Sequence, residues 1–522
     1  MDTSTAYRRR WGTLGVLSVC LLVIGLDNTI LNVAIPSLAT DLHAGDSQLQ
    51  WMVDSYTLVF AGLLLTAGSL GDRFGRRTAL FSGLAIFGVA SLWAAWSGSS
   101  GELIAARAAM GIGGALIMPS TLSVLTNSFT DPKERAKAIG IWAAVSGLGI
   151  VLGPTLGGWL LGHFWWGSVF LVNVPVVVVG LVAGLWLIPE SRDPAAPRID
   201  VGGALLSIAG LSTLVWSIIE APTRGWTSTP VLAGFAAAAV LLVGFVRHES
   251  RIAEPMLNLG YFSDRRFAAG SVSVTLLFFA LFGTIFFLTQ YLQFVLGYTA
   301  LEAGKGLIPV ATMVIGAPLG IKLSEVLGDK VVIPAGLTLV AGALGLLATT
   351  SMDSGYGQVA VFLSVAGLGM GLAMDPATEA VMGSLPKDKA GVGSAVNDTT
   401  RQVGGALGVA ILGSILTSAY GGRLTEGLGG QAVPETARDG LAGALATAAH
   451  MPHDAGAALA TTAKEAFVHG MDMTVAAGAC VVVLGAVLSF LLLPSKPAES
   501  ADDEPVWAED VEEDAVPALV GA

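Results

Sequence analysis

Apolar runs of 18 or more residues recur from one end of the chain to the other, divided by short polar stretches. Each is long enough to cross about 30 Å of hydrocarbon as a helix. They fall near residues 11–35, 49–70, 78–97, 102–127, 137–161, 166–189, 201–220, 231–247, 268–296, 306–326, 331–350, 357–383, 392–417 and 471–493. The pattern predicts an all-α integral membrane protein with fourteen transmembrane helices. The first run is too long for the apolar region of a signal peptide and lacks a cleavage site, so it is expected to stay attached.

The polar breaks test that count. With Arg8, Arg9 and Arg10 placed in the cytoplasm, fourteen crossings return the C-terminus there as well. Twenty of the 27 basic residues then fall on the cytoplasmic side, and five, Arg224, Lys305, Arg423, Arg438 and Lys464, on the other. Arg107 and Arg401 lie within spans. A wrong helix number would scramble this positive-inside bias. The expected location is a bacterial cell (inner) membrane, with both termini cytoplasmic.

Composition agrees. Hydrophobic residues make up 53% of the 522, charged ones only 13%, and the mean hydropathy is +0.71; a soluble chain carries about 25% charge. Much of the net charge of −12 comes from residues 495–522, read as an acidic, disordered cytoplasmic tail. Cys20 and Cys480 fall inside spans, which excludes a disulfide framework. His450 and His453 are close together without a further ligand, so no metal and no cofactor are expected. Nothing basic and aromatic-interleaved points to nucleic acid.

Two distant stretches look like one unit. MPSTLSV (118–124) precedes DPKERAKAIG (131–140), and DPATEAV (375–381) precedes LPKDKAGVG (385–393). Pro119, Thr121 and Val124 match Pro376, Thr378 and Val381, and glycine clusters lead into both. Spans 4 and 5 thus pair with 12 and 13. The expected organisation is a six-helix bundle (1–190), two inserted helices (191–250), and a second six-helix bundle (251–494) with an external segment 418–470. Parallel repeats about an axis along the membrane normal are a transporter plan, with the binding site between halves.

Charges inside the spans locate the chemistry. Asp27, in LDNTILNVAIP (26–36), lies about 24 Å along the first helix. Asp54 and Arg107 each lie about 8 Å below the outer surface. Such residues are functional candidates by default, because a charge in hydrocarbon is costly. Burial favours the protonated form of a carboxylate and a nearby guanidinium the ionised one, so a balanced acid can take and release a proton. Asp27 is the leading proton-coupling candidate, with Arg107 modulating it and Asp54 a second acidic site; a static ion pair that orients helices is the alternative. In the second half, Asp375 and Glu379 lie one turn apart on one helix face. Arg401, with Asp398 one turn away, is equally far from the intervening loop as Asp375. Attraction of a cationic substrate by Asp375 and a structural Asp375–Arg401 pair near the cytoplasmic gate both remain open. Gln290 and Gln293, with Phe286, Phe287 and Tyr291, give an apolar surface with polar handles, as broad specificity requires; packing in the core or against lipid is the alternative for the phenylalanines.

Several motifs carry a resemblance. GSLGDRFGRR (68–77) resembles the signature loop of the major facilitator superfamily, GIVLGPTLGG (149–158) its antiporter motif, and ELIAARAAMGIGGA (102–115) its helix-4 arginine motif. LDNTILNVAIP and TTRQVGGALGVAILGS (399–414) resemble the fourteen-helix drug:proton antiporters. The resemblance covers residues 10 to 494 or so; a second signature loop at 320–330 is degenerate. It implies a major-facilitator fold in which Gly68, Gly71, Asp72, Arg73, Gly75 and Arg76 form an interdomain latch. It also implies that helix 5, with Gly149, Gly153, Pro154, Gly157 and Gly158, marks an antiporter. By physics alone, the arginines anchor a cytoplasmic loop, Asp72 bonds either backbone donors or Arg76, and the glycine stripe permits close helix packing.

The expected function is proton-coupled efflux of amphipathic, often cationic drugs or antibiotics by alternating access. A dedicated exporter of one metabolite or antibiotic is the alternative, and a proton-coupled nutrient symporter a more distant one. No GxxxxGK[ST] loop supports an ATP-driven pump, and no nucleophile–base or metal set supports an enzyme. The expected partners are a small-molecule drug, protons and the lipid bilayer, with a monomer as the functional unit.

Overall fold

The computed structural model describes residues 3–129, 131–192, 200–252, 255–385, 390–429 and 434–494; the acidic tail lies outside them. Among the described residues there is no strand. The long helices are α1 (Thr3–Asp41), α2 (Asp46–Phe74), α3 (Arg76–Ala95), α4 (Ser100–Ser128), α5 (Pro132–His163), α6 (Ser168–Leu187), α7 (Val201–Arg224) and α8 (Thr229–Glu249). They continue with α9 (Arg265–Val295), α10 (Ala300–Leu327), α11 (Asp329–Leu347), α12 (Tyr356–Gly383), α13 (Ala390–Gly427) and α14 (His453–Leu492). Among the described residues thirteen are long and apolar enough to cross a membrane, and α5, 32 residues long, is a further long helix.

Local chemistry sets the helix starts. Ser99 accepts from the Glu102 amide to open α4, Asp131 from Glu134 with Pro132 in the first turn of α5, and Asp264 from Arg266 and Phe267 at α9. Thr299 and Glu302 form a capping box at α10.

The packing pattern exposes the repeat. In the first half α1 packs on α5 and α6, α4 on α2 and α3, and α3 on α6. Eight helices later the same pairs recur: α9 on α13 and α14, α12 on α10 and α11, and α11 on α14. The two seams between halves, α2 with α13 and α5 with α10, are related in the same way. The inserted pair α7 and α8 pack on each other, and α7 lies along α2 and α13, where Ser414 Oγ donates to Ile218 O at 2.7 Å.

Three boundaries differ from those read in the sequence. α10 begins at Ala300, nearly two turns before the apolar run, because its capping box lies there. α13 runs on to Gly427 and α14 begins at His453, so most of 418–470 continues two membrane helices, with two short helices, Glu435–Arg438 and Leu441–Ala449, between them. Alanine-rich, polar turns end an apolar run without ending a helix. Phe286, Phe287 and Tyr291 are fully buried, and the Tyr291 hydroxyl donates to Ser354 O.

Candidate functional site

Asp27 is fully buried, with one carboxylate oxygen 2.5 Å from Arg107 Nη1 and the other accepting from Asn173 Nδ2 at 3.2 Å. Arg107 also donates from Nε to Met52 O at 3.0 Å and lies over the Tyr56 ring, 4.5 Å from its centroid. Asn173 reaches on to Ser91 Oγ. Five helices, α1, α2, α3, α4 and α6, therefore meet at one buried ion pair.

Asp54 is not part of that network. Helical spacing places it on the α2 face that carries Trp51 and Leu58, which pack on α7 and α13, whereas Met52 and Tyr56 face Arg107. Its side chain is fully buried, and neither carboxylate oxygen has a hydrogen-bond partner among the described residues. Shared depth in the sequence hid this separation.

Between the halves, a small pocket is lined by Asn28, Leu31 and Asn32 of α1, Val53 and Thr57 of α2, Arg107, Phe282 of α9, and Gly405 and Val409 of α13. Asn28 and Asn32 stand one turn from each other and Asn28 is the neighbour of Asp27, so the ion pair abuts the pocket. Sequence reasoning overlooked both asparagines, Asn173, Tyr56 and Thr57; uncharged polar residues in an apolar run at i, i+4 spacing were the available signal.

The α5 glycines explain how α1 is held. A Cβ on Gly149 would meet the backbone of Gly25, one on Gly153 the Thr29 hydroxyl and Leu26 O, and one on Gly157 the Ile30 side chain. The stripe thus grips the stretch of α1 that carries Asp27. Gly158 and Pro154 face the other way, against the backbones of Ala300 and Gly304 of α10. Gln293 Nε2, from a π turn that ends α9, donates to Val33 O of α1 at 3.0 Å, and Gln290 is buried against its own helix. On the same face, Asp46 N donates to Asp439 O, and Thr417 Oγ1 of α13 donates to the Asp46 carboxylate. The halves are therefore in contact at the face opposite the chain ends.

At the face that bears the chain ends, the two halves are less joined. Asp72 bonds Arg76 at 2.7 Å across a turn at Gly75, whose φ is +119°. Glu190, at the end of α6, accepts from Arg77 N and Thr78 Oγ1, and Arg76 N donates to Ser191 O. Arg73 is exposed, and Gly68 and Gly71 lie against Pro119 and Ser120 of α4. All these contacts stay within the first half. In the second half Arg401 lies over Phe278, donates to Thr378 Oγ1 at 3.3 Å and stands 3.8 Å from Asp398. A structural Asp375–Arg401 pair is one of the two readings of the sequence; the two are close, but Arg401 turns to its own helix and to Thr378, and Asp375 is left half-buried. Glu379 is exposed.

This arrangement matches a known family. The profile described as Major Facilitator Superfamily matches residues 17–409. The chain belongs to the major facilitator superfamily. The tetracenomycin C resistance and export protein of Streptomyces glaucescens is 34% identical to it over 95% of this chain and 94% of that one. The multidrug efflux pump LfrA of Mycolicibacterium smegmatis is 37% identical over 93% and 97%. A bacterial homologue of the human lysosomal transporter Spinster, solved inward-facing and unoccupied, shares the fold with a TM-score of 0.65 at 20% identity, over 93% of this chain and 97% of that one. As a major-facilitator protein, the chain is a multi-pass membrane transporter of small molecules whose relatives are resistance and export proteins, not enzymes.

Proposed function

We propose that the protein exports amphipathic, often cationic drugs or antibiotics in exchange for protons, with Asp27 as the coupling acid and Arg107 as the group that sets its charge. The observation that carries this reading is the fully buried Asp27–Arg107 pair at the edge of the pocket between the halves. The chain ends face the cytoplasm of a bacterial cell, in keeping with the basic loops on that side. The pocket then accepts cargo from the cytoplasm while the outer ends are held together, and rocking about the seam where Pro154 and Gly158 of α5 meet α10 exposes it outward. A proton arriving at Asp27 weakens its hold on Arg107, and the freed guanidinium displaces a cationic cargo. Proton return contributes about 2.3 kcal/mol per charge per 100 mV. Asp54, on the seam with α7 and α13, is a second acid on this route. Asp375 and Glu379 draw cations to the inner mouth, where Asp398 and Arg401 form part of the gate, and the Asp72–Arg76 loop latches when that mouth closes. Export of one dedicated compound is favoured by the amides of Asn28 and Asn32, which suit a cargo with matching polar groups.

The test uses proteoliposomes with an imposed pH gradient and a lipophilic cationic dye. Wild type moves dye and protons in opposite directions, and Asp27→Asn, reconstituted at equal density, moves neither. Undiminished exchange by Asp27→Asn removes Asp27 from the mechanism.

A further inference from the structure

The inserted pair carries titratable side chains at the end nearest the chain termini that the transport route does not use. Asp200 precedes α7 and Glu249 ends α8, beyond the apolar runs 201–220 and 231–247, and both are buried. One oxygen of Asp200 accepts from Gly203 N at 2.8 Å and faces His248 Nε2 at 2.7 Å. One oxygen of Glu249 accepts from Leu257 N at 2.9 Å. The remaining oxygens, Asp200 Oδ2 and Glu249 Oε1, are buried without a donor among the described residues. They are also neighbours, since both lie against the single point where a Cβ on Gly203 would stand. Only glycine leaves room for the two carboxyl groups there.

Two facing carboxylate oxygens repel unless one carries a proton. We propose that Asp200 and Glu249 bind one proton between them, forming a proton site that stands apart from Asp27 and closes a clasp on the linker to the second half. Asp200 keeps the negative charge. Burial pushes its carboxyl up, but the Gly203 amide, His248 and Glu249 outweigh burial and hold it below the ordinary range. Glu249 therefore carries the proton and donates it to Asp200. His248 on α8 is the other titratable group facing the pair, and from the linker only the Leu257 amide bonds it among the described residues.

The clasp has a mechanical consequence. Next to Leu257, Met256 Sδ accepts from Thr66 Oγ1 of α2, while Leu257 itself packs on Phe267, Val381, Leu385 and Val396 of the second half. The linker thus touches both halves, and Glu249 ties it to the insert. When the proton leaves, two negative charges face each other and Glu249 is driven from the Leu257 amide. The site fills at low pH and empties as pH rises, so the linker is held at low pH and released at high pH.

Hydrogen exchange of the full-length protein in nanodiscs, measured over a pH series and corrected for intrinsic chemical exchange, tests this. The wild-type peptide containing Leu257 should lose about tenfold protection as pH rises. Glu249→Gln, whose amide donates to Asp200 at every pH and still accepts from Leu257, should stay protected throughout. His248→Gln should retain the wild-type pH dependence. The proposal is overturned by wild-type protection that does not change with pH, by Glu249→Gln losing protection as wild type does, or by a dependence that vanishes in His248→Gln.

Discussion

Replacing Asp27 with Asn leaves shape almost unchanged and removes one charge, which isolates the electrostatic part of the site. The amide oxygen still accepts from Arg107. The new Nδ2 faces Asn173, whose own Oδ1 is buried without a partner and accepts it once the Asn173 amide turns over. Hydrogen bonds are thus conserved, and the loss is the attraction between two charges in a site where the side chains are 0% and 2% exposed. With charge centres about 4 Å apart and an effective dielectric near 20, that attraction is about 4 kcal/mol. The range for breaking one partner of a buried pair, about 3–5 kcal/mol, agrees.

The double variant Asp27→Asn/Arg107→Gln removes the stranded guanidinium too. A cycle of the four proteins, measured by reversible unfolding in mixed micelles, should show each single variant destabilised by about 3–5 kcal/mol and the double variant by much less than the sum. Transport should fail in all three, because each lacks either the titrating acid or the guanidinium that answers it, even where the double variant regains stability. Additive losses across the cycle would refute the reasoning: the two side chains would then be energetically independent, and the pair would not be the unit on which protonation acts.

Other substitutions probe the surroundings of the pair. Gly153→Val pushes a branched side chain into Thr29 and the Leu26 carbonyl, so α1 should splay from α5 at a cost of about 1–3 kcal/mol, read as a lowered melting temperature together with lost transport. Asp54→Leu removes two unpartnered buried oxygens and should stabilise the protein by about 1–3 kcal/mol while abolishing proton-coupled exchange; a destabilised variant would show that Asp54 is well solvated or paired. Glu190→Ala strips the cap from α3 and should cost about 1 kcal/mol by thermal unfolding, with Gly75→Ala costing more because it adds a Cβ at a positive φ.

What could be read in the sequence was what the membrane itself enforces. Apolar length and the distribution of basic residues gave the count of long helices, because a bilayer penalises every exception, while the repeat order came from the matched stretches 118–140 and 375–393. The glycine stripe of α5 was legible as a packing surface, although its partner, the Asp27 turn of α1, required the structure. Depth along a helix was legible for Asp27, Arg107 and Asp54, but depth is one coordinate of three. Asp54 lies at the height expected for it and on the wrong face to meet Arg107, and the same gap put Arg401 beside Thr378 rather than in contact with Asp375. Uncharged partners were silent for a different reason. An Asn in an apolar run costs far less than an Asp, so Asn173 carries no alarm in the sequence, yet it fixes one of the two oxygens of Asp27.

That asymmetry bears on how the pair works. Arg107 and Asn173 approach Asp27 from different helices, α4 and α6, while the α5 glycines hold α1 on either side of it, at Gly25, Leu26, Thr29 and Ile30. A proton added to Asp27 must therefore displace one of two donors, and Asn173 is the weaker, being neutral and at 3.2 Å rather than 2.5 Å. Asn173→Ala then separates the two roles. It leaves Arg107 paired, so the protein should fold, but it frees the oxygen at which a proton enters, and coupled exchange should shift to higher pH. An unchanged pH profile would place the entry of the proton at the Arg107 side instead.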